Sequence, residues 1–173
     1  MLAALALLQV SLALVLLRRL GGGRTRRPPE APLPQGTSDA PGLTIVVATL
    51  NEAPRIGPCL RGLRAQGDPV REILVVDSGS RDGTRELVQA AEAQDPRIRL
   101  LTDPPLPSGW IGKAWALQYG TQQASQPWVL GMDADTEANP GCAAAVLDAA
   151  LREGFDVVSF APRFDGQTAA ERW

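Results

Sequence analysis

Histidine is missing from all 173 residues, which removes Ser-His-Asp and Cys-His catalysis and every histidine-containing zinc site from this chain. Cysteine is scarce. Cys59 and Cys142 form no CxxC pair, two thiolates cannot complete a four-sulfur metal site, and they read as buried structural thiols in a reducing compartment. Aromatic residues make up 5% and the net charge is -2. With no basic stripe interleaved with aromatics, nucleic-acid binding lacks its electrostatic footprint. No internal repeat is visible. What remains is a globular composition, 45% hydrophobic and 21% charged, enough for one modest domain whose chemistry must run on carboxylates, lysine, hydroxyls or a cation.

The one long apolar run lies at the start. Residues 2–17 are interrupted only by Gln9 and Ser11, and as a helix they reach about 25 Å, just enough to span a bilayer. Arg18, Arg19, Arg24, Arg26 and Arg27 follow at once. This order is the reverse of a cleavable secretory signal. The positive-inside rule then keeps the arginine side, and the rest of the chain, cytoplasmic. Residues 1–20 are expected to be a transmembrane anchor in the cell membrane. The Gly-, Pro- and Ser-rich stretch 21–42 has nothing apolar enough to bury and reads as a flexible linker.

From residue 43 onward short apolar, β-branched runs alternate with helical stretches. Leu43 to Ala48, Glu72 to Val76, Ile98 to Thr102, Trp128 to Met132 and Asp156 to Phe160 read as strands. Arg55 to Ala65, Thr84 to Ala93, Lys113 to Ala124 and Gly141 to Arg152 read as helices. The pattern predicts an α/β, Rossmann-like fold, a mostly parallel sheet with helices on both faces. Ligands of such sheets gather at the carboxyl ends of the strands, where strand order reverses.

The polar residues of interest fall at those ends. Trp128 to Met132 reads as a buried strand that runs into Asp133-Ala134-Asp135, and alternation puts both carboxylates on one side with Ala134 facing the other. Such a pair suits Mg²⁺ or Mn²⁺ holding a diphosphate; it equally suits a solvated acidic turn. After the second strand, Asp77 could accept from a base imide or a ribose hydroxyl, or close an Asx-turn over Ser78-Gly79. Asp82 could serve the same site or cap the following helix, as could Asn51 and Glu52 after the first strand. Lys113 follows a Pro- and Gly-rich loop at the start of a helix, placed either to meet a phosphate or simply to be solvated. It is not part of a Walker A loop, since Pro107 and Ala114 break that pattern.

Taken in order and spacing, TIVVATLNE, ILVVDSGSRDGT, GWIGKAWA and VLGMDAD resemble the donor-binding half of family 2 glycosyltransferases with the GT-A fold. The match runs from about Leu43 to Pro162. It implies a nucleotide-sugar donor, with UDP-sugar foremost, held by Thr49, Asn51, Glu52, Asp77, Asp82, Lys113 and Asp133. It implies that Asp135, with Asp133, holds Mn²⁺ or Mg²⁺. The family reaction is an inverting, in-line displacement in which the cation takes up charge on the leaving diphosphate and a carboxylate base deprotonates the acceptor. No catalytic base is expected within this chain. It is expected downstream of Trp173, so 43–173 reads as a GT-A domain incomplete at its C-terminus and the chain as an N-terminal fragment. Asp165 and Glu171 lie too early to supply the base. GWIGKAWA with an N-terminal anchor looks most like membrane-associated members linked to hopanoids or carotenoids, which implies a lipid or isoprenoid-type acceptor bearing a hydroxyl or carboxyl.

Three other readings compete. A nicotinamide-dependent dehydrogenase would want GxGxxG, yet Thr49 to Pro54 has no glycine. A sugar-nucleotidyltransferase would want a glycine-rich, basic first loop. The third is a catalytically incomplete, membrane-anchored nucleotide-sugar binder.

Overall fold

A computed structural model of the protein describes residues 9–16, 18, 30–33 and 40–162. The chain divides into two compact units, Met1–Glu30 and Ala31–Trp173. In the first, residues 9–16 are helical. Among the described residues no helix is long and apolar enough to cross a membrane. The expected anchor falls largely outside the described residues, which lack 1–8, 17, 19 and 20, as do most of the linker and Asp165 and Glu171.

In the second unit the elements alternate: β1 (Leu43–Thr49), α1 (Ile56–Arg64), β2 (Val70–Asp77), α2 (Thr84–Glu92), β3 (Ile98–Thr102), α3 (Gly112–Gln123), β4 (Trp128–Asp133) and α4 (Cys142–Glu153). All strand pairs are parallel, in the order β3-β2-β1-β4. The central strands are β-branched and apolar along their length because both faces are covered: Ile45, Val46, Val47, Ile73, Leu74, Val75 and Val76 have no exposed surface. One face packs Ile45, Val47, Ile73 and Val75 with Ile56, Leu63, Val88 and Leu147 from α1, α2 and α4. The other packs Val46, Leu74 and Val76 under Ala116 and Leu117 of α3. Gly120 lets α3 approach, since a Cβ there would overlap Val46 and stand 3.0 Å from Val76 Cγ2.

Two expectations are corrected. The run into the DAD is not buried: β4 is an edge strand in which Trp128, Leu130 and Met132 are half-buried while Val129, Gly131 and Asp133 are exposed. Residues 156–160 form no strand, and Val157 is 87% exposed. Composition marks a run as able to pair, but a strand needs a hydrogen-bonded neighbour, and this run joins none of the four. Strand order grows from β1 through β2 to β3 and then reverses to place β4 on the far side of β1. The switch point of the sheet is therefore the crevice between the ends of β1 and β4.

Candidate functional site

Register brings the strand ends level. Thr49 is opposite Asp77, Asp77 opposite Thr102, and Ala48 opposite Asp133. At the switch point lies an open cleft of about 300 Å³. Thr49, Glu52, Lys113, Asp133 and Asp135 line it together with Ala48, Leu50, Arg55, Ser78, Gly112, Ala116 and Ala134.

Asp133 and Asp135 are exposed on either side of buried Ala134, as alternation requires, although the strand ends at Asp133. A turn follows, closed by the Thr136 N–H donating to the Asp133 carbonyl at 3.1 Å. Below it the Cys59 thiol donates to the same carbonyl at 3.8 Å. Burial first, then the charges of Asp135 and Asp133, push that thiol up to about 12. Both cysteines are free.

Lys113 reaches across the cleft from the first turn of α3, its Nζ 2.6 Å from Asp133 Oδ1. No acidic residue and no side-chain cap occupies that first turn. A cation there faces the positive end of the helix dipole, and Asp133 is what balances it.

Among the described residues no group of three or more Cys, Asp or Glu is arranged to hold a metal by itself. Two carboxylates at the lip of an open cleft nevertheless suit Mg²⁺ or Mn²⁺, which take one or two carboxylates and complete their shell with water and phosphate oxygens. In this structure the Lys113 ammonium supplies the positive charge beside Asp133.

Glu52 brings an acceptor to the same cleft. Its buried Oε2 has the Arg55 guanidinium 2.9 Å away but receives no directed hydrogen bond. The β1 and β2 loops beside it are tied to each other. Asn51, at φ 56, donates its N–H to Ser80 Oγ at 2.8 Å and accepts from the Arg81 N–H at 2.9 Å. The Glu52 N–H meets Thr84 Oγ1 at 2.8 Å, and the Ala53 N–H meets Asp82 Oδ2 at 3.0 Å.

Asp82 also accepts from the Thr84 hydroxyl at 2.6 Å and the Thr84 N–H at 3.1 Å. The Thr84 hydroxyl above all holds its carboxyl below the usual range. The cap position expected for Asp82 belongs to Gly83, at φ 97. Neither Asn51 nor Glu52 caps α1 with its side chain; the Glu52 carbonyl instead accepts from the Arg55 and Ile56 amides.

Asp77 is fully buried. Its Oδ2 accepts from Gly79 N–H at 3.2 Å, Ser80 N–H at 3.1 Å and Arg85 Nη1 at 2.9 Å, Oδ1 faces Thr49 Oγ1 at 3.4 Å, and the Ser80 hydroxyl also bonds the carboxylate. Burial raises its pKa, but hydrogen bonds from Ser80, Arg85 and Gly79 prevail and hold the carboxyl below the usual range.

Thus Thr49, Glu52, Lys113, Asp133 and Asp135 converge on the cleft. Asn51, Asp77 and Asp82 stand behind it and fasten its loops. Sequence reasoning missed Arg55, Arg85 and Gln66. The (i, i+3) spacing of Glu52 and Arg55 was a readable signal. Nothing local marked Arg85, or Gln66, which is buried and clasps the loop after the DAD. Gln66 Nε2 donates to the Asn139 and Gly62 carbonyls, each at 2.9 Å, and its Oε1 accepts from the Ala143 N–H at 3.1 Å.

Residues 44–173 match the family described as glycosyl transferase family 2. The chain is 37% identical over 111 residues to the lipopolysaccharide core biosynthesis glycosyltransferase LpsC of Rhizobium meliloti, covering 64% of this chain and 34% of that protein. Its fold superposes with a TM-score of 0.55 and 31% identity on the mannosyltransferase PcManGT from Pyrobaculum calidifontis in complex with GDP-Man and Mn²⁺, over 76% of this chain and 38% of that one. It superposes with a TM-score of 0.52 and 25% identity on glucosyl-3-phosphoglycerate synthase from Mycobacterium tuberculosis in complex with Mn²⁺, UDP and glucosyl-3-phosphoglycerate, over 64% and 39% of the two chains. The chain spans less than half the length of each of these proteins.

Proposed function

The chain belongs to glycosyltransferase family 2, and on that footing we propose that it binds a nucleotide-sugar donor at the β1/β4 switch point and serves sugar transfer to a hydroxyl or carboxyl of a lipid-like acceptor, with inversion. The observation that carries the proposal is the convergence of Asp133, Asp135, Lys113, Thr49 and Glu52 on one cleft. Asp133 and Asp135 would hold Mn²⁺ or Mg²⁺, which supplies charge neutralisation to the departing diphosphate. Lys113 and the uncapped amides at the start of α3 offer the phosphates an ammonium and N–H donors from one direction. Glu52, paired with Arg55 at the cleft wall, would turn its carboxylate to a sugar or ribose hydroxyl. Beneath them, the satisfied Asp77 keeps the β2 loop in shape.

UDP is the favoured nucleotide, supported by the UDP held in glucosyl-3-phosphoglycerate synthase. The GDP-Man in the mannosyltransferase makes GDP the comparison to run beside it. The lipid-like acceptor, hopanoid- or carotenoid-type at its narrowest, rests on the apolar run 2–17 and on Leu106, Trp110 and Ile111, exposed in the loop that leads into the cleft at Gly112. The same apolar run and the arginines after it support residues 1–20 as a membrane anchor, 21–42 as its linker and the 43–173 domain on the cytoplasmic side.

A second reading, a nucleotide-sugar binder that transfers nothing, has one observation in its favour. Of the carboxylates lining the cleft, Glu52 faces Arg55 and Asp133 faces Lys113, and Asp135, the one left over, would be taken up by the metal rather than serve as a base. Calorimetric titration of UDP and GDP into the chain, with and without Mn²⁺, tests the donor site. Metal-dependent binding lost in Asp135→Asn is expected, and folded protein that takes up neither nucleotide refutes the proposal. Incubation with a labelled UDP-sugar and hydroxylated isoprenoid lipids then separates transfer from binding alone.

A further inference from the structure

We propose that Lys113 is an internal counter-ion, seated on Asp133 while the cleft is empty and passed to the donor's diphosphate on binding, so that divalent cation and nucleotide enter together. The inference rests on the donor reading above. Nζ and Oδ1 are 2.6 Å apart, yet the two side chains are 59% and 55% exposed and line the same cleft, so neither is trapped by packing.

Lys113 has a reason to leave. It projects from the positive end of α3, whose own first turn carries no acid and no side-chain cap, so that the exposed Asp133 carboxylate is what offsets it. A diphosphate meets the ammonium and the helix amides at once. Asp133 has a reason to be vacated. A divalent cation arriving alone must compete with the ammonium for the same carboxylate and then sit beside its displaced charge. A diphosphate removes that competition by drawing Lys113 away while supplying oxygens to the metal. Metal and nucleotide therefore raise each other's affinity, and the coupling is reciprocal. In this role Lys113 is a positioning residue that acts through Asp133.

The test measures free Mn²⁺ by its electron paramagnetic resonance signal as the full chain is added, with and without saturating UDP, for wild type, Lys113→Met and Lys113→Arg. Without UDP, Lys113→Met is expected to bind Mn²⁺ about three- to fivefold more tightly than wild type, the scale of releasing one exposed ion pair. Lys113→Arg, which keeps the charge, is expected to stay near wild type. With UDP the gain disappears, so the nucleotide raises Mn²⁺ affinity less in Lys113→Met than in wild type. A Lys113→Met protein whose nucleotide-free Mn²⁺ affinity is unchanged or weaker, while wild type retains UDP-dependent uptake, overturns the counter-ion role and leaves the donor site standing. A folded wild type that takes up no Mn²⁺ even with UDP overturns both.

Discussion

Replacing Asp77 with asparagine keeps the shape of a fully buried side chain and removes its charge. Three donors converge on Oδ2: two backbone amides and the Arg85 guanidinium. An asparagine oxygen can occupy that position, with its NH₂ turned towards Thr49, so all three bonds survive as neutral-acceptor bonds. Each loses about 1 kcal/mol of charge assistance, and relief from burying a carboxylate returns part of that, leaving a net cost of about 1–2 kcal/mol. Asp77→Leu also strands the amides and Arg85, and costs about 3–5 kcal/mol.

The pH dependence has a definite sign. The folded-state carboxyl lies below its ordinary 3.8, so its stabilisation is complete above the unfolded value and disappears as pH falls through the folded one. Urea unfolding followed by tryptophan fluorescence at neutral pH should show the Asp77→Asn midpoint lowered by roughly 1 M. The two proteins should converge as the carboxyl protonates at acidic pH. An Asp77→Asn midpoint equal to wild type at neutral pH, or a gap that stays constant into acid, would refute this account of the loop.

Gln66→Leu leaves the Asn139 carbonyl and the Ala143 amide without their side-chain partner, and a loss of about 2–4 kcal/mol is expected in the same unfolding assay. Weaker Mn²⁺-dependent UDP binding should accompany it at temperatures where the variant stays folded, because the clasped loop follows the DAD directly. Cys59, with a thiol pushed up to about 12, should resist an aromatic disulfide reagent at pH 8 until the chain unfolds. Half-buried Cys142 should react first, and prompt labelling of both in native protein would contradict the burial of Cys59.

The strands and helices were legible because their signals are local. Continuous β-branched runs such as LTIVVAT and EILVV, spaced by helices, are the pattern of a parallel sheet covered on both faces, and the four helices ended within a residue or two of their expected limits. Thr49, Asp77 and Asp133 were legible as polar residues that end apolar strands. What each does from there was not legible, because it depends on register. Asn51 meets Ser80 and Arg81 only because Thr49 is level with Asp77, and no property of Asn51 itself announces that. The same limit hid Arg85 and Gln66, whose partners are chosen by how the helices settle on the sheet. Residues 156–160 mark the opposite failure, in which strand composition is present without a neighbouring strand to pair with.

The bonds from Asn51, Glu52 and Ala53 to the loop after β2 make the two loops a single stiff jaw, since neither can shift without breaking several of them. The start of α3 faces them across the cleft; Ala116 and Leu117 seat that helix on the sheet, while the loop before it is tied chiefly by the Trp115 indole N–H to the Pro104 carbonyl and by the exposed Lys113–Asp133 ion pair. Bonds from one loop to another are therefore denser on the β1/β2 side than in the loop that leads into α3. Ligands of different girth should be accommodated by displacement around residues 104–111, while the end lined by residues 49–53 should keep its geometry. Substitutions that broaden what the cleft accepts should accumulate in the compliant jaw, and those in the stiff one should cost stability before they alter selectivity.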